Sequence, residues 1–123
     1  MKNDYVKNLN EGKALEEKFA IREKESPRKY SGGWFFKLLV GDRTGDIPLL
    51  YWGRDEKEPV ESKYTSLKIG DVIEVKGSVS IYHGKLQIYV NKEDFHSVRN
   101  VDEEEYEVED YLTEIVISSE SSL

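Results

Sequence analysis

The sequence VGDRTGDIPLLYWGR, residues 40–54, contains a turn between two short runs of β-forming residues. Gly41–Asp46 is rich in the Gly and Asp residues that favour tight turns between strands. The runs Trp34–Val40 and Ile47–Trp52 on either side are mostly apolar and rich in aromatic and aliphatic residues, with Lys37 and Pro48 as the exceptions. This stretch therefore predicts an antiparallel hairpin, formed by the second and third strands of the chain.

Further β-type runs lie on both sides of this hairpin. The first covers Ala14–Glu25, where apolar and charged residues alternate. Ser26–Gly33, with one proline and two glycines, is predicted to be a flexible connection. A fourth run covers Val72–Tyr82, and a fifth follows the two-residue hairpin loop His83–Gly84.

About 20 residues separate the third and fourth runs, and Val60–Leu67 within them is predicted to be a short helix. Five strands with a long connection at that place match the five-stranded Greek-key barrel called the oligonucleotide/oligosaccharide-binding (OB) fold. The pattern predicts an all-β protein. Another small β-barrel would satisfy the same alternation.

The composition excludes several kinds of chemistry. The chain has 123 residues, enough for one domain, and no cysteine, so it has no disulfide, thiolate zinc site or cysteine nucleophile. Its two histidines, His83 and His96, are too few to suggest a His-based metal centre, and we expect no metal and no cofactor. No apolar run is long enough to cross a bilayer, so we expect a cytoplasmic protein without a membrane partner, associated with the nucleoid if the source is a prokaryote.

The net charge of −7 is distributed unevenly along the chain. Residues 1–100 contain all 18 Lys and Arg and 16 of the 25 Asp and Glu, which leaves this part with a net charge of +2. Residues 101–123 contain the other nine acidic residues and no basic residue. We therefore predict a folded domain over residues 1–100 and an acidic C-terminal tail over residues 101–123, partly helical where apolar residues recur.

Two blocks of sequence resemble one family. Val40–Arg54 is similar to the D-x-T-G-x-[IV]…W signature of the archaeal single-stranded-DNA-binding proteins and of the related single-OB and replication protein A domains. GSVSIYHGKLQIY, Gly77–Tyr89, resembles that family's aromatic-x-Gly hairpin and alternating final strand. The resemblance covers roughly residues 8–92, about two thirds of the chain.

This resemblance implies a non-enzymatic protein that binds single-stranded DNA, with RNA as the alternative, in replication, repair or recombination. It implies that Ile47, Leu49 and Tyr51 point into the barrel. It also implies that bases stack on the outward aromatic residues Trp52, Tyr82 and Tyr89. Ser78 departs from the family, which often has a third aromatic residue there.

The residues around these aromatics extend the predicted site. Phe35 has the outward parity of the second strand, next to Lys37, and is a further stacking candidate. Cations near the rings would bind backbone phosphates. The candidates on the flanking strands and loops are Arg22, Lys24, Arg28, Lys29, Lys37, Arg43, Arg54 and Lys85.

Asp42 and Asp46 are interpreted as turn residues rather than as an acid and base pair, because no histidine with a catalytic role lies near them in sequence. We therefore predict that the chain is not an enzyme. His83, at a hairpin tip, is interpreted as a turn residue or a phosphate contact.

The acidic tail has several interpretations. It would keep the protein soluble, occupy the binding groove when nucleic acid is absent, or recruit other proteins. Val108, Tyr111, Leu112 and Ile115 have helical spacing, and residues 101–117 would then bind the barrel, a partner or a second copy. For the whole chain, the alternatives are an OB-fold protein-interaction subunit of a replication protein A-like complex and a stand-alone RNA-binding OB domain.

Overall fold

The fold is a barrel of β-strands with one α-helix between the third and fourth strands. The structure, a computed structural model, describes residues 4–53, 56–91 and 96–112. In those ranges the elements are β1 Ala14–Tyr30, β2 Gly33–Asp42, β3 Gly45–Trp52, α1 Lys57–Ser66, β4 Val72–Tyr82, β5 Lys85–Asn91 and β6 Ser97–Asn100.

Five strands close the barrel in the order β1, β2, β3, β5, β4 and back to β1. The first half of β1 pairs antiparallel with β4, and its second half pairs antiparallel with β2. The parallel pairing of β3 with β5, from Leu49 opposite Ile88 to Trp52 opposite Asn91, completes the ring. The expected five-stranded OB barrel with a helix between the third and fourth strands is therefore confirmed.

The interior of the barrel is lined by every second residue of its strands. The implied inward positions of β3, Ile47, Leu49 and Tyr51, are all buried. Phe19 and Phe36 belong to the same core and are its largest fully buried side chains. Because side chains alternate across a strand, this core fixes the residues that face outward on β2, β3 and β5.

The prediction for Ser26–Gly33 was wrong. Most of this segment continues β1, and the turn is confined to Ser31 and Gly32. The pairing of β1 with β2 shifts register between Glu25 and Arg28, and Pro27 lies at that irregularity. A proline that would interrupt a regular ladder is accommodated there, because a bulge leaves one residue unpaired.

The helix begins and ends earlier than predicted, at Lys57 and Ser66 instead of Val60 and Leu67. Pro59 lies in its first turn, where a backbone N–H has no partner within the helix, so the proline does not prevent the early start. Val60 is buried in the barrel core, and Tyr64 packs against it.

The C-terminal region differs from a free tail or a regular helix over its described part. Residues 97–100 form β6, which the sequence analysis missed and which pairs with β4. Glu103–Glu105 and Val108–Tyr111 are two short 3₁₀ turns. Of the predicted helical stripe, Tyr111 is buried and Val108 is exposed, and Ile115 lies outside the described residues. The division of the chain at residue 100 stays a prediction.

Several hydrogen bonds attach residues 101–112 to the rest of the domain. Tyr5 Oη donates a hydrogen bond to Asp110 Oδ1 at 2.6 Å, and the Arg43 amide donates to the Asp110 carbonyl at 2.7 Å. Arg22 Nη2 donates to the Tyr111 carbonyl at 2.6 Å. We call residues 101–112 the C-terminal clasp.

No helix in the described ranges is long and apolar enough to cross a membrane.

Gly77 is the point at which β4 approaches β5 too closely for any side chain. A Cβ at this position would lie 2.5 Å from the Tyr89 carbonyl oxygen, a backbone atom that cannot move independently. We predict that Gly77→Ala lowers the free energy of unfolding by about 1–3 kcal/mol, the usual range for overpacking. Urea denaturation measures it, with Ser78→Ala on the outer face as the matched control. Equal stability of the two variants would contradict the close approach.

Tyr5 gives the clasp a stability that depends on pH. The hydrogen bond to Asp110, followed by burial, raises the pKa of Tyr5 above its ordinary value of 10.0. The protonated hydroxyl is thus favoured by folding, so its stabilisation is complete below pH 10 and is lost as the pH rises through the raised pKa.

We predict that Tyr5→Phe lowers the free energy of unfolding by about 1–2 kcal/mol at pH 7, because the buried Asp110 carboxylate loses a donor. The difference from the wild type should shrink above pH 10. Denaturation at pH 7 and pH 11 measures both effects, and Tyr106→Phe serves as the control within the clasp. A difference that stays constant with pH would argue against the Tyr5 bond as its source.

Candidate nucleic-acid interface

Four aromatic rings form a continuous row on the outer face of the barrel, and Trp52 is at its centre. The Phe35 ring is stacked on Trp52 at 4.8 Å between centroids, and the Tyr30 ring meets it edge-on at the same distance. The Tyr89 ring lies 6.3 Å away on β5, tilted by 39°. We call Tyr30, Phe35, Trp52 and Tyr89 the aromatic row; all four rings are partly exposed.

Strand register brings these rings together. Phe35 of β2 is directly opposite Trp52 of β3. Tyr89 of β5 is opposite Leu50, which has the same outward parity as Trp52. Three predicted stacking residues, Phe35, Trp52 and Tyr89, are thus placed on one surface.

Tyr30 belongs to the row although the sequence analysis did not select it. Its hydroxyl donates a hydrogen bond to the Gly53 carbonyl at 2.9 Å, and the Gly53 amide donates to the Trp34 carbonyl at 2.8 Å. These bonds hold the end of β3 against the β1–β2 turn. The sequence signal for Tyr30 is an aromatic residue directly before a turn. The prediction of a flexible connection over Ser26–Gly33 hid this signal, because it removed Tyr30 from any strand.

The Trp52 indole provides a hydrogen-bond donor within the row. Its Nε1 is buried and has no hydrogen-bond partner among the described residues. A buried donor without a partner carries an energetic cost that a suitable acceptor removes. The row therefore combines apolar ring surface with one polar atom.

Polar groups mark the Tyr89 end of the row. The side-chain Nδ2 of Asn91 donates a hydrogen bond to the Tyr89 hydroxyl at 2.9 Å, and the backbone N–H of Asn91 donates one to His96 Nδ1 at 3.0 Å. The His96 ring meets Tyr89 edge-on at 6.3 Å. Since Nδ1 accepts a hydrogen bond, the neutral imidazole has its proton on Nε2 in this arrangement.

Tyr82, the remaining stacking candidate, lies apart from the aromatic row. It is 62% exposed near the tip of the β4–β5 hairpin, and its ring contacts His83 at 4.1 Å. Ser78, opposite Tyr89, is four residues away, or about 13 Å along the strand. Lys85 is directly opposite Tyr82, so the hairpin tip forms a second, smaller patch. His83 has a left-handed φ of 51°, as a turn residue would.

Two predicted phosphate contacts lie directly beside the row. Arg28 is the cross-strand partner of Phe35, and Lys37 follows Phe35 on the same face of β2. Both cations approach Glu25. Arg28 Nη2 lies 3.3 Å from Glu25 Oε1, and Lys37 Nζ lies 3.8 Å from Glu25 Oε2.

Arg22 and Arg43 make contacts at the turn end of the β2–β3 hairpin, away from Trp52. Arg22 binds the clasp at Tyr111, and its Nε lies 3.4 Å from Asp46 Oδ1. The Arg43 guanidinium lies over the Tyr5 ring at 5.1 Å. These contacts give both arginines a structural role away from the aromatic row.

Two predicted lysines are also directed elsewhere. Lys24 Nζ lies over the Tyr64 ring of α1 at 4.0 Å. Lys29 is opposite Trp34, which has the opposite parity to Phe35 on β2. Arg54 lies outside the described residues.

Asp42, the last residue of β2, caps the turn that follows it, as predicted, whereas Asp46 lies within β3. Asp42 is buried, and its carboxylate accepts hydrogen bonds from the Thr44 amide at 2.8 Å and the Thr44 hydroxyl at 2.6 Å. It also accepts one from the Val6 amide at 2.9 Å, a long-range contact that the sequence did not indicate. Among the described residues, no cluster of His, Asp and Glu is arranged to hold a metal ion.

Residues 20–94 match the family model of the OB-fold nucleic acid binding domain, tRNA_anti-codon. The 3′-5′ exoribonuclease YhaM of Halalkalibacterium halodurans is 29% identical over 79 residues, which are 64% of this chain and 23% of that protein. The lysine–tRNA ligase of Shewanella loihica is 38% identical over 58 residues, which are 47% of this chain and 11% of that protein. The chain spans less than a third of the length of the curated relatives it matches.

Among solved structures, a replication factor A related protein of Methanobacterium thermoautotrophicum superimposes with a TM-score of 0.62. The two are 20% identical, and the match covers 80% of this chain and 90% of that one. This likeness establishes a shared fold.

Proposed function

The chain belongs to the family of OB-fold nucleic acid binding domains, and we propose that it binds single strands, in particular DNA, without reading their sequence. The observation that carries the proposal is the aromatic row, in which Phe35, Trp52 and Tyr89 form one partly exposed surface across three strands. Every base has a π-face, so such a surface binds bases of any identity.

Stacking supplies one part of the proposed affinity, and phosphate contacts supply the other. Each stacked base contributes about 1–3 kcal/mol. Under this proposal Arg28 and Lys37, which lie beside the rings, contact the sugar-phosphate backbone, and Lys85 offers a further cation at the hairpin tip. Binding through these cations weakens with salt, because it releases counterions from the strand.

The Asp42–Trp52 signature supports DNA as the ligand, since it resembles single-stranded-DNA-binding proteins. RNA is a second candidate, because the relatives include an exoribonuclease and a tRNA ligase. Under the DNA proposal the chain acts in replication, repair or recombination, as a cytoplasmic or nucleoid-associated binding module without catalytic activity of its own.

We predict that Trp52→Ala weakens binding of labelled dT20 by roughly tenfold to a hundredfold, the loss expected for one stacking platform. Fluorescence anisotropy at two salt concentrations measures the affinity, and parallel titration with U20 compares RNA with DNA. Trp34→Phe is the matched control, since Trp34 lies on the other side of β2 with Lys57 over its ring.

The control variant has a second use. It retains Trp52 as its single tryptophan, so quenching of its emission by unlabelled dT20 reports directly on the row. Unchanged affinity of a folded Trp52→Ala protein would remove Trp52 from the site. Absence of binding by the wild type to both dT20 and U20 would overturn the proposed function.

A further inference from the structure

Glu25 bridges the two cations that flank the aromatic row. Its Oε1 faces Arg28 at 3.3 Å, and its Oε2 faces Lys37 at 3.8 Å. All three side chains remain accessible, with exposed fractions of 49% for Glu25, 69% for Arg28 and 44% for Lys37. The Glu25 carboxylate thus lies between the two cations.

Strand pairing fixes this arrangement on the face of the row. Glu25 of β1 is directly opposite Lys37, and Arg28 is directly opposite Phe35, which stacks on Trp52. The register shift between Glu25 and Arg28 directs both side chains to that face. The carboxylate is therefore a neighbour of the proposed binding surface, not a remote surface charge.

A second acid reduces the positive charge further. Glu23 is opposite Leu39, which has the same parity on β2 as Phe35 and Lys37. The β1–β2 side of the row therefore combines two cations with two carboxylates. This local balance agrees with the small net charge of residues 1–100 and is unusual for a surface that binds phosphates.

We propose, on the basis of the proposed function, that Glu25 competes with the phosphates of the bound strand for Arg28 and Lys37 and thereby keeps the affinity low. Exposed ion pairs of this kind contribute little to stability, so an incoming phosphate displaces the carboxylate at small cost. After displacement the Glu25 carboxylate still repels the phosphate, because β1 keeps the carboxylate close to the two cations. A strand held in this way exchanges readily, since most differences in affinity appear in the dissociation rate.

The test compares Glu25→Gln with Glu16→Gln. Glu16 also lies on β1 and also pairs with a lysine across the strands, since its Oε1 is 3.8 Å from Lys76 Nζ on β4. It is nine residues before Glu25, near the other end of β1. The two variants remove the same charge from similar exposed pairs, and they differ in their distance from the aromatic row.

We expect Glu25→Gln to bind dT20 about three- to tenfold more tightly than the wild type at low salt, and Glu16→Gln to stay within about twofold of it. The plot of log K against log salt concentration should become steeper for Glu25→Gln by about 0.7, the contribution of one additional phosphate contact on a single strand. Stopped-flow displacement should show a slower dissociation rate for this variant alone.

Each outcome has a distinct meaning. Equal gains for both variants would show a general effect of net charge and overturn the role of Glu25, while the proposed function would stand. Weaker binding by Glu25→Gln would show that the carboxylate positions the cations and would also overturn it. Absence of binding by all three proteins would overturn the proposed function and this inference together. Circular dichroism and thermal melting establish that the variants are folded.

Discussion

The whole structure depends on the continuity of β1, one strand that pairs with β4 along its first half and with β2 along its second. Without this shared strand, the β2–β3 hairpin and the β4–β5 hairpin would not close into a barrel. Its second half carries Glu25, Arg28 and Tyr30 to the aromatic row. Its middle carries Arg22 to the C-terminal clasp. The site and the clasp are thus both consequences of a single curved strand.

The alternation of apolar residues was sufficient to predict most of the barrel. The predicted runs located β2, β3 and β4 to within two residues at each boundary, because a half-buried strand must place every second side chain in the core. The second half of β1 was not predictable in the same way. Local signals in Ser26–Gly33 indicate a turn, and only the long-range pairing with β2 overrides them. β6 was missed because a strand of four residues shows too little alternation.

The site was predictable to the extent that it follows from strand faces. The sequence indicates Phe35, Trp52 and Tyr89 as stacking residues, and strand register places them together. The individual cations were not predictable, because their neighbours are distant in sequence. Arg22 binds a carbonyl 89 residues away, and Lys24 lies over a ring of α1. A basic residue on a strand shows the sign of its charge but not the group it contacts.

The clasp gives the domain a polarity. Tyr5 and Asp110, which are 105 residues apart, meet beside the β2–β3 turn, whereas Trp52 lies at the far end of β3, about 23 Å along the strand from Gly45. Both described ends of the chain are therefore gathered at one pole, and the aromatic row opens near the other. A dye attached within the described part of the clasp would therefore lie about one strand length from the rings and leave them unobstructed. The clasp and the aromatic row thus lie at opposite ends of the domain.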